Sequence, residues 1–214
     1  MEKGVIFDLD GVICFTDKYH YLAWKRMAYQ ENIYFDEEIN NRLRGVSRMA
    51  SLEIILERAT KTYSEEEKIE LATKKNEWYR EYLLTMTPSD IDESTKETLK
   101  ELRRRGYRLS IGSSSKNAKL ILEKCEITDL FDAISDGTNI SRSKPDPEVF
   151  LKAAEFLKLK PEDCYVVEDA FAGIDAAKDG GFKAIGIGEA SSYSRTDYPI
   201  KEFKDILDVV ERGN

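Results

Sequence analysis

Two aspartates spaced two apart, Asp8 and Asp10, follow the apolar run Gly4-Val5-Ile6-Phe7 and precede Gly11. The run is short and partly β-branched, which reads as a buried strand. The two-residue period of an extended chain turns both carboxylates to one side, and Gly11 lets the backbone bend sharply beyond them. By itself D-x-D-G also reads as a polar turn after a strand. The ends of other strand-like runs add to it. Ser113-Ser114-Ser115-Lys116-Asn117 follows an apolar run at 107–111, and Glu168-Asp169 follows one at 165–167. Lys144 precedes Pro145 and a helical stretch. If these strands are parallel, their C-terminal ends share one edge, where open α/β sheets bind ligands.

The residue types complement one another. Asp8, Asp10, Glu168 and Asp169 are hard oxygen donors, and four carboxylates do not crowd together without a cation. Mg²⁺ takes a few carboxylates, keeps waters and binds phosphate oxygens, so it is the expected cofactor. Ser113 and the N–H groups of the helix after it can donate to a phosphoryl group, and Lys144 offers that group a compact positive charge. An aspartate held there can attack phosphorus and form an acyl phosphate. That transfer needs mostly positioning and charge neutralisation. Asp10 can exchange a proton with the leaving or attacking oxygen.

Positioning such a set requires strands that alternate with helices. Further strand-like runs lie at 133–135 and 184–187. Between them, Ser94 to Glu97 spells a capping box, Leu99 and Leu102 follow, and Gly106 stands where a helix should end. Helices also fit 117–124, 147–159 and 171–178, the last closed by Gly180-Gly181. The pattern predicts an α/β fold, a doubly wound, Rossmann-like parallel sheet covered on both faces. The core domain is expected at 1–14 and 88–214.

Residues 15–87 break the alternation. Leu52, Ile55, Leu56 and Ala59 recur with helical spacing. Ser64 and Glu67 form a second capping box, with Ile69, Ala72, Tyr79 and Leu83 following on one face. An all-helical block inserted after the first strand reads as a cap domain.

Composition excludes other chemistries. Among 214 residues there are 33 Lys and Arg against 41 Asp and Glu, a net charge of −8, with no basic block to attract nucleic acid. At 41% hydrophobic the chain can build a real core, and no apolar run approaches the ~18 residues of a membrane span. The N-terminus offers no long apolar stretch of the signal-peptide kind, so a cytoplasmic protein is expected. Cys14, Cys125 and Cys164 are dispersed, as suits a reducing compartment. With His20 the only histidine and no G-x-S-x-G, neither a multi-histidine zinc site nor a serine triad elbow is available.

FDLDGVI, the serine loop, SKPDPEVF and VVEDAFAGIDAA resemble the four signature motifs of the haloacid dehalogenase superfamily of phosphotransferases. In the cap, TDKYHYLAWK, LRGVSRMASLEIIL and LATKKNEWY are similar to segments of its β-phosphoglucomutase family. The resemblance implies an isomerase that interconverts β-glucose 1-phosphate and glucose 6-phosphate through a phosphoaspartate and a sugar bisphosphate. It implies Asp8 as nucleophile and Asp10 as acid/base. Asp8, Glu168, Asp169 and the Asp10 carbonyl become the Mg²⁺ ligands, and Ser113 and Lys144 hold the transferring phosphate. Gly45, Val46 and Arg48 of the cap, with Ser115, Lys116 and Asn117 of the core, are implied contacts to the distal phosphate and sugar. Thr16, His20 and Lys75 are implied to couple cap closure to Asp10. The expected partner is a small phosphosugar, with no nucleic acid or membrane, acting on a monomer. Phe15, Arg44, Met49-Ala50 and Ser114 depart from the family pattern, and Phe15 near the hinge and Met49 in the cap loop leave the choice of sugar open.

Each cap residue has a plainer alternative. Arg48 reads equally as a solvated first-turn arginine, Lys75 as a solvent-facing lysine on a charged helix, and His20 as a packing histidine. Trp24 and Trp78 read as packing. The same core could also serve a Mg²⁺-dependent sugar-phosphate phosphatase, in which water ends the cycle. A phosphoacceptor receiver domain shares the acidic pocket but needs an exposed aspartate and has no lid. A cap-borne cation for the distal phosphate separates mutase from phosphatase, and Arg48 is the candidate.

Overall fold

The first apolar run forms strand β1 (Gly4–Phe7), buried at all four positions. In the computed structural model, which describes residues 2–43 and 47–212, β1 lies at the centre of a six-stranded sheet. Its partners are β2 (Arg108–Gly112), β3 (Ala133–Ser135), β4 (Cys164–Glu168), β5 (Lys183–Gly186) and β6 (Tyr198–Pro199). The order is β3-β2-β1-β4-β5-β6, and every pairing is parallel. The chain steps outward from β1 through β2 to β3 and then crosses to β4 on the other side. The crevice of an open α/β sheet lies at such a reversal. Phe7 aligns with Ile111 of β2 and Val167 of β4, so the loops after all three strands leave the sheet at one level.

Strand alternation splits the core. On one face Ile6 and Val166 pack with Val149, Phe150, Ala153 and Leu157 of helix α7 (Glu148–Leu157) and Ile174 and Ala177 of α8 (Phe171–Asp179). On the other, Phe7 meets the rings of Phe131 and Phe203 at 6.2 and 5.7 Å. Helix α5 (Glu93–Arg104) packs on β2, and the C-terminal helix α9 (Ile206–Arg212) packs on α5. Helix α6 (Ala118–Lys124) follows the serine loop. The sheet thus has the expected doubly wound, α/β form.

The chain divides into two compact units, Met1–Phe15 with Met86–Asn214, and Thr16–Thr85. The second contains α1 (Asp17–Gln30), α2 (Glu37–Asn41), α3 (Arg48–Leu56) and α4 (Glu65–Leu83), and no strand among its described residues. Helix α4 packs against both α1 and α3. The capping box at its start forms as expected, with Ser64 Oγ accepting from Glu67 N–H and Glu67 accepting from Ser64 N–H.

Two local expectations differ from the structure, and one strand was not expected. Helix α5 starts at Glu93, because the Asp92 carboxylate accepts from both the backbone N–H and the hydroxyl of Thr95 and outcompetes Ser94 as cap. Ile69 is exposed, since α4 presents Ala72, Trp78, Tyr79 and Leu83 to the core instead. Strand β6 had no signal, being two residues long and containing a proline, which only an edge strand tolerates.

Candidate active site

Asp8 follows β1 directly, and its N–H donates to Val167 O on β4 at 3.0 Å, so the first catalytic-type carboxylate is tied to the neighbouring strand. The loop then turns back. Ile13 and Cys14 N–H both donate to Leu9 O, and Gly11 N–H donates to Cys14 O at 2.7 Å. Gly11 has φ +91°, and a Cβ there would lie 2.0 Å from Asp169 Oδ2. Glycine at this position both permits the turn and leaves room for the Asp169 carboxylate.

Lys144 enters between the carboxylates. Its Nζ lies 2.5 Å from Asp8 Oδ1 and also donates to Glu168 Oε1. The other Glu168 oxygen accepts from Asp169 N–H and Ala170 N–H, each at 3.0 Å, which orients the carboxylate at the end of β4. Gly173 makes room for it, because a Cβ at that position would fall 1.9 Å from the Glu168 carboxyl carbon.

One ammonium does not balance this charge. Asp8, Glu168 and Asp169 each offer an oxygen within 4.8 Å of the others. Burial, with Asp8 adding repulsion, pushes the Glu168 carboxyl up. Burial, then Glu168 and Asp8, push Asp169 up to about 8. Burial alone would favour a neutral Lys144, but Asp8 and Glu168 overcome it and hold the ammonium above its ordinary range. Raised carboxylates in an all-oxygen cluster fit a hard divalent cation, which would remove the repulsion.

On the next strand, Ser113 and Asn117 are buried, Ser115 is half-buried and Lys116 is exposed. Ser113 Oγ accepts from Ser115 N–H, and Ser115 Oγ accepts from Asn117 N–H. The structure therefore gathers Asp8, Lys144, Glu168 and Asp169, with Asp10 and the Ser113–Asn117 loop leaving the same sheet edge. Sequence reasoning missed Gly173, though a glycine in the first turn of a helix was its available signal.

The helical unit holds a second cluster. Arg48 opens α3 and is exposed, and its Nη2 donates to Asn76 Oδ1 at 2.9 Å. Among the described residues Arg48 meets no carboxylate. Lys75, expected as an alternative to face solvent, is 2% exposed. Its Nζ lies 2.9 Å from His20 Nδ1 and over the rings of Trp24 and Tyr79, at 4.6 and 5.0 Å. His20 stacks on Tyr79, whose hydroxyl donates to the buried Thr16 Oγ1 at 3.1 Å. Burial, then Arg48, brings the Lys75 amine down to about 7. Burial, then the Lys75 and Arg48 charges, drive His20 well below its usual range, so its imidazole is neutral. Trp24 and Trp78 are buried packing residues. Gly45 and Val46 lie outside the described residues. A cavity of about 510 Å³ beside α1, lined by Leu22, Tyr29 and Phe35 among others, holds none of the residues expected to do chemistry.

A model of the haloacid dehalogenase-like hydrolase family matches residues 2–181. The chain belongs to that family. Within the haloacid dehalogenase-like proteins it is 42% identical to the beta-phosphoglucomutase of Bacillus subtilis over 206 residues, covering 95% of this chain and 91% of the relative. A phosphorylated carbohydrates phosphatase of Thermotoga maritima is 28% identical, over 86% of this chain and 83% of its own. In fold it is similar to the crystal structure of beta-phosphoglucomutase from Clostridium difficile, with a TM-score of 0.87 and 34% identity over 99% of this chain and 96% of that one. No helix among the described residues is long and apolar enough to cross a membrane.

Proposed function

We propose that the chain is a phosphosugar mutase that interconverts β-glucose 1-phosphate and glucose 6-phosphate. The observation that carries this reading is the 42% identity to a beta-phosphoglucomutase over 95% of the chain, helical unit included. The phosphatase relative is similar at 28%.

Asp8 is the nucleophile. Its carboxylate oxygen forms a bond to phosphorus as the phosphate ester bond of a sugar bisphosphate breaks, giving an aspartyl phosphate. The hydroxyl at carbon 6 of β-glucose 1-phosphate then takes the phosphoryl group, and Asp10 accepts its proton. The resulting 1,6-bisphosphate turns round and returns its carbon-1 phosphoryl group to Asp8. Asp10 protonates the leaving oxygen, and glucose 6-phosphate departs. Lys144 and Ser113 hold the non-bridging oxygens where charge develops. Asp8, Glu168 and Asp169 would hold Mg²⁺ together with the Asp10 carbonyl, and the ion would neutralise the carboxylates and the phosphoryl oxygens. Arg48, together with Gly45, Val46, Ser115, Lys116 and Asn117, binds the distal phosphate and sugar, and Thr16, His20 and Lys75 couple the helical unit to Asp10. Core and cap divide at 1–14 with 88–214 and at 15–87. The enzyme works as a cytoplasmic monomer.

Incubation with β-glucose 1-phosphate, Mg²⁺ and a trace of the bisphosphate tests this. Glucose 6-phosphate is the expected product. Free phosphate and glucose in its place would make the chain a phosphatase.

A further inference from the structure

Strand β3 and the turn after it grip the serine loop at one point each. Ser113 N–H donates to Ser135 O at 3.0 Å, and Gly137 N–H donates to Ser115 O at 3.1 Å. Between the two grips sits Asp136, fully buried. Its Oδ1 folds forward to accept from Thr138 N–H at 2.8 Å and from the Thr138 hydroxyl at 2.5 Å. Its backbone N–H donates to Asn139 Oδ1 at 3.2 Å, and its carbonyl accepts from Asn139 N–H at 3.1 Å. Its Oδ2 has no hydrogen-bond donor and faces Lys119 Nζ of α6 at 3.8 Å. A fully buried carboxylate is costly to hold, and here Thr138 satisfies one oxygen while the Lys119 ammonium faces the other.

We propose that Asp136 is a positioning residue for phosphosugar recognition: it locks the 136–139 turn so that Gly137 holds Ser115, the far end of the Ser113–Ser115 segment. The proposal rests on the function proposed above for its substrate, but the clamp itself is independent of it. The hydrogen bonds run from Asp136 through Thr138 to the turn, and from the turn through Gly137 to Ser115. Ser115 Oγ then accepts from Asn117 N–H, which sets the start of α6. The Asp136–Lys119 pair ties that helix to the same turn from the other side. Space at the clamp is tight, since a Cβ on Gly137 would lie 2.4 Å from Ser114 O. Asp8, Lys144 and Glu168 hold one another, and Ser113 is held by strand β3 through Ser135, without any help from this turn. Losing the lock should therefore loosen the sugar-phosphate contacts more than the phosphoryl-transfer site.

Asp136→Ala and Asp136→Asn are compared with the wild type in three measurements. These are the KM for β-glucose 1-phosphate, the Ki of glucose 6-phosphate against acetyl phosphate hydrolysis, and kcat for that hydrolysis. Asp136→Ala should raise KM and Ki about tenfold and leave kcat for acetyl phosphate within about threefold. Asp136→Asn keeps an acceptor for Thr138 and should recover most of the loss. Unchanged KM and Ki in Asp136→Ala would overturn the proposal, as would an equal fall in both activities alongside a lower Tm. Absence of glucose 6-phosphate formation by the wild type would count against the proposed function alone, because the Ki still reads the clamp.

Discussion

Lys144 Nζ sits 2.5 Å from Asp8 Oδ1, so the charge of the proposed nucleophile is met by an ammonium 136 residues along the chain. The same ammonium bonds Glu168. This shared partner orients Asp8 and supplies positive charge beside the oxygen proposed to attack phosphorus. Lys144→Met should lower turnover on the order of 100-fold or more, the usual cost of removing a charge-stabilising donor. It also strands two buried carboxylates, so Tm should fall in the absence of Mg²⁺ and recover in part when Mg²⁺ is added. Thermal melts with and without the ion check both effects. A Tm equal to wild type without Mg²⁺ would show that the lysine does not neutralise the cluster.

Gly173→Ala reverses an ordinary expectation. In an exposed helix interior, alanine is better than glycine by roughly 1 kcal/mol. Here the added carbon would fall 1.9 Å from the Glu168 carboxyl carbon. The substitution should displace Glu168 from Lys144, weaken Mg²⁺ affinity and cut turnover. A Mg²⁺ titration of activity reads it, and an unshifted curve would mean that α8 yields without moving the carboxylate.

Lys75 gives a pH dependence with a definite sign. Its amine is brought down to about 7 in the folded chain, against 10.5 when unperturbed. Between those values the unfolded chain binds the extra proton, so this residue's contribution to stability rises with pH across that window. Lys75→Met fills the same space between Trp24 and Tyr79 without the charge. The stability gap between Lys75→Met and wild type should be widest below pH 7 and shrink towards pH 10.5, in urea unfolding at stepped pH. A gap that does not change with pH would show that the buried amine is not the cause.

Arg48 is the residue proposed to separate two activities on one core. Its guanidinium bonds only the neutral Asn76 side chain among the described residues, which leaves its charge uncompensated for a phosphate. A hydrogen bond to a charged group contributes about 1.5–3 kcal/mol, so Arg48→Ala should reduce mutase efficiency on the order of tenfold or more. Acetyl phosphate has no distal phosphate, and its hydrolysis should fall far less. Arg48→Lys should recover only part of the loss, because a point charge does not reproduce the guanidinium fork. If the ratio of the two rates is the same in Arg48→Ala and wild type, Arg48 is a solvated surface residue.

The sheet was legible in the sequence because its strands are buried on both faces and read as unbroken apolar runs, Gly4 to Phe7 above all. The convergence of Asp8, Lys144, Glu168 and Asp169 followed from placing strand ends on one edge. What the sequence hid was burial of polar groups. Lys75 lies on a helix rich in Glu and Lys, and only the rings of Trp24 and Tyr79 around it show why it is inside. Asp136 sits in an unremarkable S-D-G-T turn, and its role as a brace depends on Ser115, some twenty residues away in sequence. The start of α5 was misread because Ser94 and Asp92 are both good caps, and hydrogen bonds to Thr95 decide between them.

Asp8 is proposed to pass a phosphoryl group between sugars and not to water. Enzyme labelled on the protein from radioactive glucose 1,6-bisphosphate, then chased with unlabelled β-glucose 1-phosphate and quenched, measures this directly. The account predicts that the label resides on Asp8, is absent in Asp8→Asn, and leaves during the chase as sugar phosphate. Label released as inorganic phosphate in the presence of the sugar, or label retained by Asp8→Asn, would contradict it.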